Sequence, residues 1–238
     1  MINGEFVKDL NHFFEQWKTI QTQLVVEPDI KKKEVVIPNI ERLERFFTIY
    51  QQVNQIREKE RRMGAEINVW QAANLGRYEV RNSKTLCWFL DCNADHGQKD
   101  AFLKAFLGCI NLGYLNTEKY LTTEESCPIG EQSERVDIEI ESDNFLLFIE
   151  VKIDAFEGEE QLNRYYDVAT KKSNARFWRV IYLTKDGVLP DKEKQNNERF
   201  IGMSWKSLAT AFQQLAKREP DNRVFWLAQQ FAQHILTF

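Results

Sequence analysis

Glu150 and Lys152 stand two residues apart in the run Phe148-Ile149-Glu150-Val151-Lys152. A strand turns alternate residues to one face, so these two charges share a side with Leu146 and Phe148. Leu147, Ile149, Val151 and Ile153 fill the other side. Charges at the end of an apolar strand are costly unless they are paired or hold a metal. Upstream, Val136, Ile138 and Ile140 alternate with Asp137, Glu139 and Glu141, which is the pattern of a half-buried strand. Asp143-Asn144 reads as the turn between the two strands. With two residues in that turn Ser142 faces Phe145, and counting back sets Asp137 opposite Glu150. Four turn residues give the same pairing, whereas three put Asp137 on the other face. An even turn therefore brings two carboxylates together with an amine beside them. That set suits Mg2+, a hard cation that favours carboxylate oxygen and retained water, with Mn2+ as its substitute. A metal held there would bind a phosphate and lower the pKa of an attacking water, and Lys152 would orient that water or stabilise charge on the phosphate.

The bland alternative is a same-face salt pair between Glu150 and Lys152. An acid two residues before a lysine is a short pattern, and chance supplies about two or three in a chain of this size. Pro28-Asp29-Ile30-Lys31 is another copy. It lies in a Pro-bounded, Lys-rich connection with no apolar strand around it and is set aside. Glu139 and Glu141 share the face of Asp137 and read as a solvated edge.

The elements that must position these groups follow from periodicity. Residues 5–25 read as an amphipathic helix carrying Phe6, Leu10, Phe13, Phe14 and Trp17. Pro28 and Pro38 bracket a connection, and a second helix runs from Ile40 to about Met63, ending in Arg57, Lys59, Arg61 and Arg62 before Gly64. Asn68–Gly76, Tyr78–Leu90 and Gln98–Leu112 are expected to be helical. The hairpin follows, then a helix over Glu157–Lys172, a strand over Phe177–Thr184, and helices over Trp205–Lys217 and Asn222–Leu236. The expectation is an α/β domain over 66–238 behind a helical region over 1–65. Glu79, Asn82, Leu86 and Phe89 form one helical stripe, so a carboxylate heads a core-facing line. It would meet either a metal site or the helix dipole.

Composition bounds the partners. The 238 residues carry a net charge of -4, with 43% apolar residues and 17 Phe. A sizeable core is possible, and no broad basic surface is. Attraction to a phosphate chain would have to come from a bound metal or from local clusters. The clusters are Lys31–Lys33, Arg57–Arg62, and Lys171 and Lys172 with Arg176 and Arg179, of which the last lies nearest the reacting strand. The N-terminus lacks a basic start followed by a long apolar stretch, and no run has the ~18 apolar residues of a membrane span. Cys87, Cys92, Cys109 and Cys127 form no CxxC pair, consistent with reduced thiols and a cytoplasmic setting. The aromatic N-terminal helices are expected to serve as a core or as the surface of a homo-oligomer.

Ordered pieces of the chain resemble one known group. They are Asn68-Val69-Trp70; Glu79 to Lys84 with Leu86 to Asp91; His96-Gly97-Gln98; Arg135-Val136-Asp137-Ile138; Ile149 to Ile153; Glu157 to Leu162 with Arg164-Tyr165-Tyr166; Tyr182-Leu183-Thr184; and Trp205 to Leu208. Over roughly 68–216 the sequence is similar to the PD-(D/E)XK nuclease superfamily, type 4 bacterial group. The resemblance implies a restriction-endonuclease-like core, a central mixed β-sheet flanked by helices, and Mg2+-dependent hydrolysis of nucleic acid, DNA ahead of RNA. Phage defence or mobile-element biology comes by association with the group. It assigns metal ligation to Asp137 and Glu150 and the catalytic cation to Lys152. It adds Glu79 as a further acidic ligand and Gln161 as an accessory residue, where a plain surface amide is the alternative. Val136 stands where the name-giving motif has Pro, and Asn82 where relatives often carry His. His96 reads as a structural loop histidine. A catalytically silent module of the same fold, binding nucleic acid or a protein, is the competing functional class.

Overall fold

The computed structural model describes residues 12–17, 40–130, 135–154, 161–190 and 197–238. Two compact units divide between Met63 and Gly64. In the first, residues 12–17 are helical and α1 spans Ile40–Arg62. No residue of α1 is buried, although Phe46, Phe47, Tyr50 and Val53 recur along it. The rest of the helix expected over 5–25, and the connection with Lys31–Lys33, lie outside the described residues.

The second unit is built on five strands: β1 (Leu121–Ser126), β2 (Val136–Glu141), β3 (Phe145–Val151), β4 (Phe177–Thr184) and β5 (Phe200–Ser204), hydrogen-bonded in that order. β1, β2 and β3 run antiparallel, and β3, β4 and β5 run parallel, so the sheet is mixed with β3 at its centre. A parallel neighbour needs a crossover, and α5 (Gln161–Lys172) supplies the one from β3 to β4. Only three strands were expected; the structure adds one at each edge. β1 reads Leu-Thr-Thr-Glu-Glu-Ser and stays partly exposed, so it shows no apolar alternation. β5 contains Gly202. A Cβ there would overlap the carbonyl oxygen of Gly187, itself at φ 75° in the turn after β4, so the edge needs glycine.

The helices are α2 (Val69–Ala72), α3 (Glu79–Leu90), α4 (Ala101–Cys109), α6 (Trp205–Ala216) and α7 (Arg223–Ile235). α2 and α4 are shorter than their apolar runs because Asn74 and Asn111 turn left-handed just beyond them, at φ 53° and 58°. Ser204 and Asn222 cap α6 and α7 by accepting main-chain N–H groups. Among the described residues no helix is long and apolar enough to cross a membrane.

Each face of the sheet has its own core. Leu147, Ile149 and Val151 pack with α3, α4, α6 and α7, where Phe89 has Trp88, Phe102, Phe212 and Phe231 around it. Leu146 and Phe148 pack with Leu162, Tyr165 and Val168 of α5. The alternation of β3 thus sorts its residues between two helical layers. Its even positions, which include Glu150, lie under α5. Truncating Phe89 to Ala would cost about 3–5 kcal/mol through the cavity left in the larger core.

Candidate active site

The hairpin turn has two residues. Ser142 N–H donates to the Phe145 carbonyl at 2.9 Å, and the Ser142 hydroxyl accepts from Asn144 and Phe145. The register follows: Ile138 lies opposite Ile149 and Glu139 opposite Phe148, so the next pair is Asp137 with Glu150. Beyond Ile138 the ladder stops, and the Asp137 carboxylate itself accepts the Val151 N–H at 2.9 Å. On the other side, Glu125 sits at φ 46°, opposite Asp137 in a register that pairs Glu124 with Ile138 and Ser126 with Val136. A left-handed glutamate is uncommon, and it interrupts the sheet beside the carboxylate.

Glu150 is buried, and three donors converge on it. Lys152 Nζ and Gln161 Nε2 each lie 2.6 Å from Oε1, and the Tyr165 hydroxyl lies 2.6 Å from Oε2. Gln161 also donates to the Tyr165 oxygen at 3.1 Å, one helical turn away on α5. Tyr165 is the neighbour of Glu150 that residue-by-residue reading missed; the signal for it was the Gln161–Tyr165 spacing at the head of that helix.

Electrostatics mark the same spot. Burial pushes the Asp137 carboxyl up to about 7, and the Glu150 carboxylate within hydrogen-bonding reach pushes in the same direction; the Val151 N–H and Lys152 oppose them. Burial alone would lower the Lys152 pKa, but Glu150, Glu79 and Asp137 outweigh it and raise it, so Lys152 is a cation. Two crowded, oxygen-bearing carboxylates beside a fixed cation fit a hard divalent ion that keeps several waters. The repulsion felt by Asp137 is the charge such an ion would relieve.

Glu79 makes a main-chain contact next to these groups. It opens α3, and its carboxylate accepts the Ile153 N–H at 2.8 Å. Among the described residues no three His, Cys, Asp or Glu side chains gather to hold a metal. Glu79 thus meets the main chain next to Lys152, and its charge adds to those of Glu150 and Asp137 in raising the Lys152 pKa. The Lys152 carbonyl accepts from Trp205 Nε1 at 2.9 Å, so both sides of that residue are tied.

The basic cluster expected to meet nucleic acid is mostly engaged within the protein. Lys172 pairs with Glu139 and, at 3.2 Å, with Glu141; Arg176 pairs with Glu141 at 2.8 Å and donates to the Ser142 carbonyl. From the end of α5 and just beyond it, both cations reach carboxylates of β2. Glu139 is accordingly buried, with Ser126 as a second partner, and is not the solvated edge its alternation suggested. Lys171 is exposed. Asn82 is buried against His234, whose Nε2 lies 3.2 Å from its Oδ1 and 3.0 Å from the Gly76 carbonyl. His96 is buried in the larger core between Trp88 and Phe102. Cys87, Cys92, Cys109 and Cys127 are free, and burial, then Glu124 and Asp91, pushes the Cys87 thiol up to about 12, which leaves it inert. A groove of about 950 Å³ between α4 and α6 holds none of the residues around Glu150.

A mixed five-stranded sheet between helical layers, with an acid–acid–lysine set at the end of its central strand, is a restriction-endonuclease-like fold. The chain belongs to the PD-(D/E)XK nuclease superfamily, whose family model matches residues 67–233. No curated protein and no solved structure matches it. Membership points to nuclease activity in general.

Proposed function

We propose that the chain is a divalent-metal-dependent nuclease that hydrolyses phosphodiester bonds, with Mg2+ as its ion, Mn2+ as a substitute and DNA as its first substrate. The observation that carries this reading is the meeting of the Asp137 and Glu150 carboxylates beside the Lys152 ammonium. Structural salt pairs do not need a second, repelling carboxylate.

Asp137 and Glu150 would hold the ion. When bound, it would draw charge from the scissile phosphate and lower the pKa of the attacking water. Lys152 stays protonated and meets the charge that grows on the phosphate oxygens, a role its raised pKa favours over that of a base. Gln161 and Tyr165 fix the Glu150 carboxylate, and Glu79 fixes the main chain after Lys152 through the Ile153 N–H. In this reading Glu79 positions the strand and is not a ligand, and Lys171 is the member of the basic cluster left to touch substrate.

The test is cleavage of single- and double-stranded DNA and RNA with Mg2+ or Mn2+, and with chelator as control. Metal-dependent product that disappears in Glu150→Gln is the expected result. No product from any substrate with either metal would sink the proposal and leave a binding module of the same fold.

A further inference from the structure

Next to the end of β3 lies a surface of which the hydrolytic reading uses Glu79 and no other residue. Arg77, Tyr78, Glu79, Val80, Arg81 and Asp154 line a shallow depression of about 470 Å³. Tyr78 is 58% exposed and Val80 is 51% exposed, so an aromatic ring and a branched apolar side chain face water side by side. The Arg81 guanidinium lies over the Tyr78 ring, 4.6 Å from its centroid, and donates to the Asn74 carbonyl at 2.8 Å. That bond holds the cation in place and limits the ring's freedom on one side. Arg77 donates to Asp154 at 2.7 Å and to the Thr237 carbonyl at 3.0 Å, which fixes the far wall.

The depression adjoins the reacting groups. Glu79 lines it and also binds the Ile153 N–H, one residue from Lys152; Asp154 follows one residue later. Tyr78 precedes Glu79 in the chain, so its ring lines the same depression as the carboxylate that holds the main chain after Lys152. Tyr78 is the N-cap residue of α3, but its side chain makes no capping bond and stays exposed.

We propose that this surface is a stacking platform for an unpaired nucleotide, and that the substrate is single-stranded nucleic acid at the point of cleavage. The proposal rests on the nuclease reading and adds the substrate class to it. Every base offers a π-face to an exposed aromatic ring regardless of sequence, and arginine adds cation–π and phosphate contacts. A duplex keeps its base faces stacked inside the helix and offers none to Tyr78. Charge agrees: the net charge is -4, and among the described residues Lys172 and Arg176 at the end of α5 are neutralised by Glu139 and Glu141, which weakens the basic face a duplex would meet there. A local aromatic–arginine pair is what attracts a flexible single strand at short range.

The experiment is equilibrium binding of a labelled oligodeoxynucleotide, as single strand and as duplex, to the full chain in chelator, where nothing is cut. The wild type should bind the single strand roughly tenfold or more tightly than the duplex. Tyr78→Ala should lose roughly tenfold in single-strand affinity, within the range for one stacked base, and Tyr78→Phe should keep it. Arg81→Ala should weaken single-strand binding and reduce its salt dependence. Equal affinity for the two forms, or Tyr78→Ala binding like the wild type, would overturn the platform. Metal-dependent cutting of duplex that Tyr78→Ala leaves unchanged would overturn it while keeping the nuclease reading. Tyr78-dependent binding without any cutting would do the reverse.

Discussion

The Asp137 carboxylate accepts the main-chain N–H of Val151, across the point where β2 and β3 cease to exchange ladder bonds. A side chain thus replaces a carbonyl at the end of a sheet, and it does so beside Glu150. The bond fixes where the two carboxylates meet, so the site is assembled by the same hydrogen bonds that end the hairpin.

Substituting the site should separate chemistry from stability. Glu150→Gln keeps the size of the side chain and one accepting oxygen while losing the charge and the ion pair with Lys152. It should lower cleavage by about two to three orders of magnitude, with near-native circular dichroism. Lys152→Ala leaves Glu150 buried without its ion-pair partner. It should abolish cleavage and also lower stability by a few kcal/mol, on the order of a broken buried pair. A Glu150→Gln protein that still cuts would remove this carboxylate from the chemistry.

The raised pKa of Asp137 makes a stability prediction of known sign. The folded chain binds this proton more tightly than the unfolded chain does. The carboxyl therefore favours folding at low pH, and that contribution is lost as pH rises through about 7. Without metal, Asp137→Asn should be more stable than the wild type above pH 7, on the order of 2 kcal/mol, with the gap closing toward pH 4. Mg2+ should raise the Tm of the wild type and leave the variant nearly unmoved. Denaturant melts across pH, with and without Mg2+, check both signs.

Tyr165→Phe tests positioning. The hydroxyl holds Glu150 Oε2 and lies 2.9 Å from the Arg135 carbonyl. Its removal should cost about 1 kcal/mol of stability. If Tyr165 orients Glu150, the Mg2+ concentration for half-maximal cleavage should rise as well, roughly tenfold. A stability loss with an unchanged Mg2+ dependence would make the residue structural only.

His234 supplies a second pH test, away from the site. Burial lowers its pKa, against the opposing bond to the Gly76 carbonyl. The neutral ring contributes stability that is present above about 6.5 and lost as pH falls through the depressed folded value. His234→Gln should flatten that loss. Parallel stability curves for wild type and variant below pH 6.5 would show that the ring does not titrate on unfolding.

The alternation of β2, the apolar run of β3 and Asp143-Asn144 made the hairpin legible in sequence, and its register up to the parity of the turn, which the structure fixes at two residues. α3, α6 and α7 were legible for the same kind of reason, as apolar stripes at helical spacing. β1 and β5 were not: strands at the edges of a sheet are held by main-chain pairing to a neighbour, and their side chains carry little of the signal. Which charge meets which was also beyond reach. Lys172 and Arg176 look like a phosphate-binding face in the sequence, and only the docking of α5 on the sheet brings them to Glu139 and Glu141.

The sequence by itself determined that Asp137, Glu150 and Lys152 could share one face, since strand period and turn length are local. Tertiary structure alone decided what surrounds them: Gln161 and Tyr165 arriving from a crossover helix, and Glu79 spent on the Ile153 N–H. Those contacts join residues far apart in the chain, and nothing in local periodicity encodes the docking of one element on another.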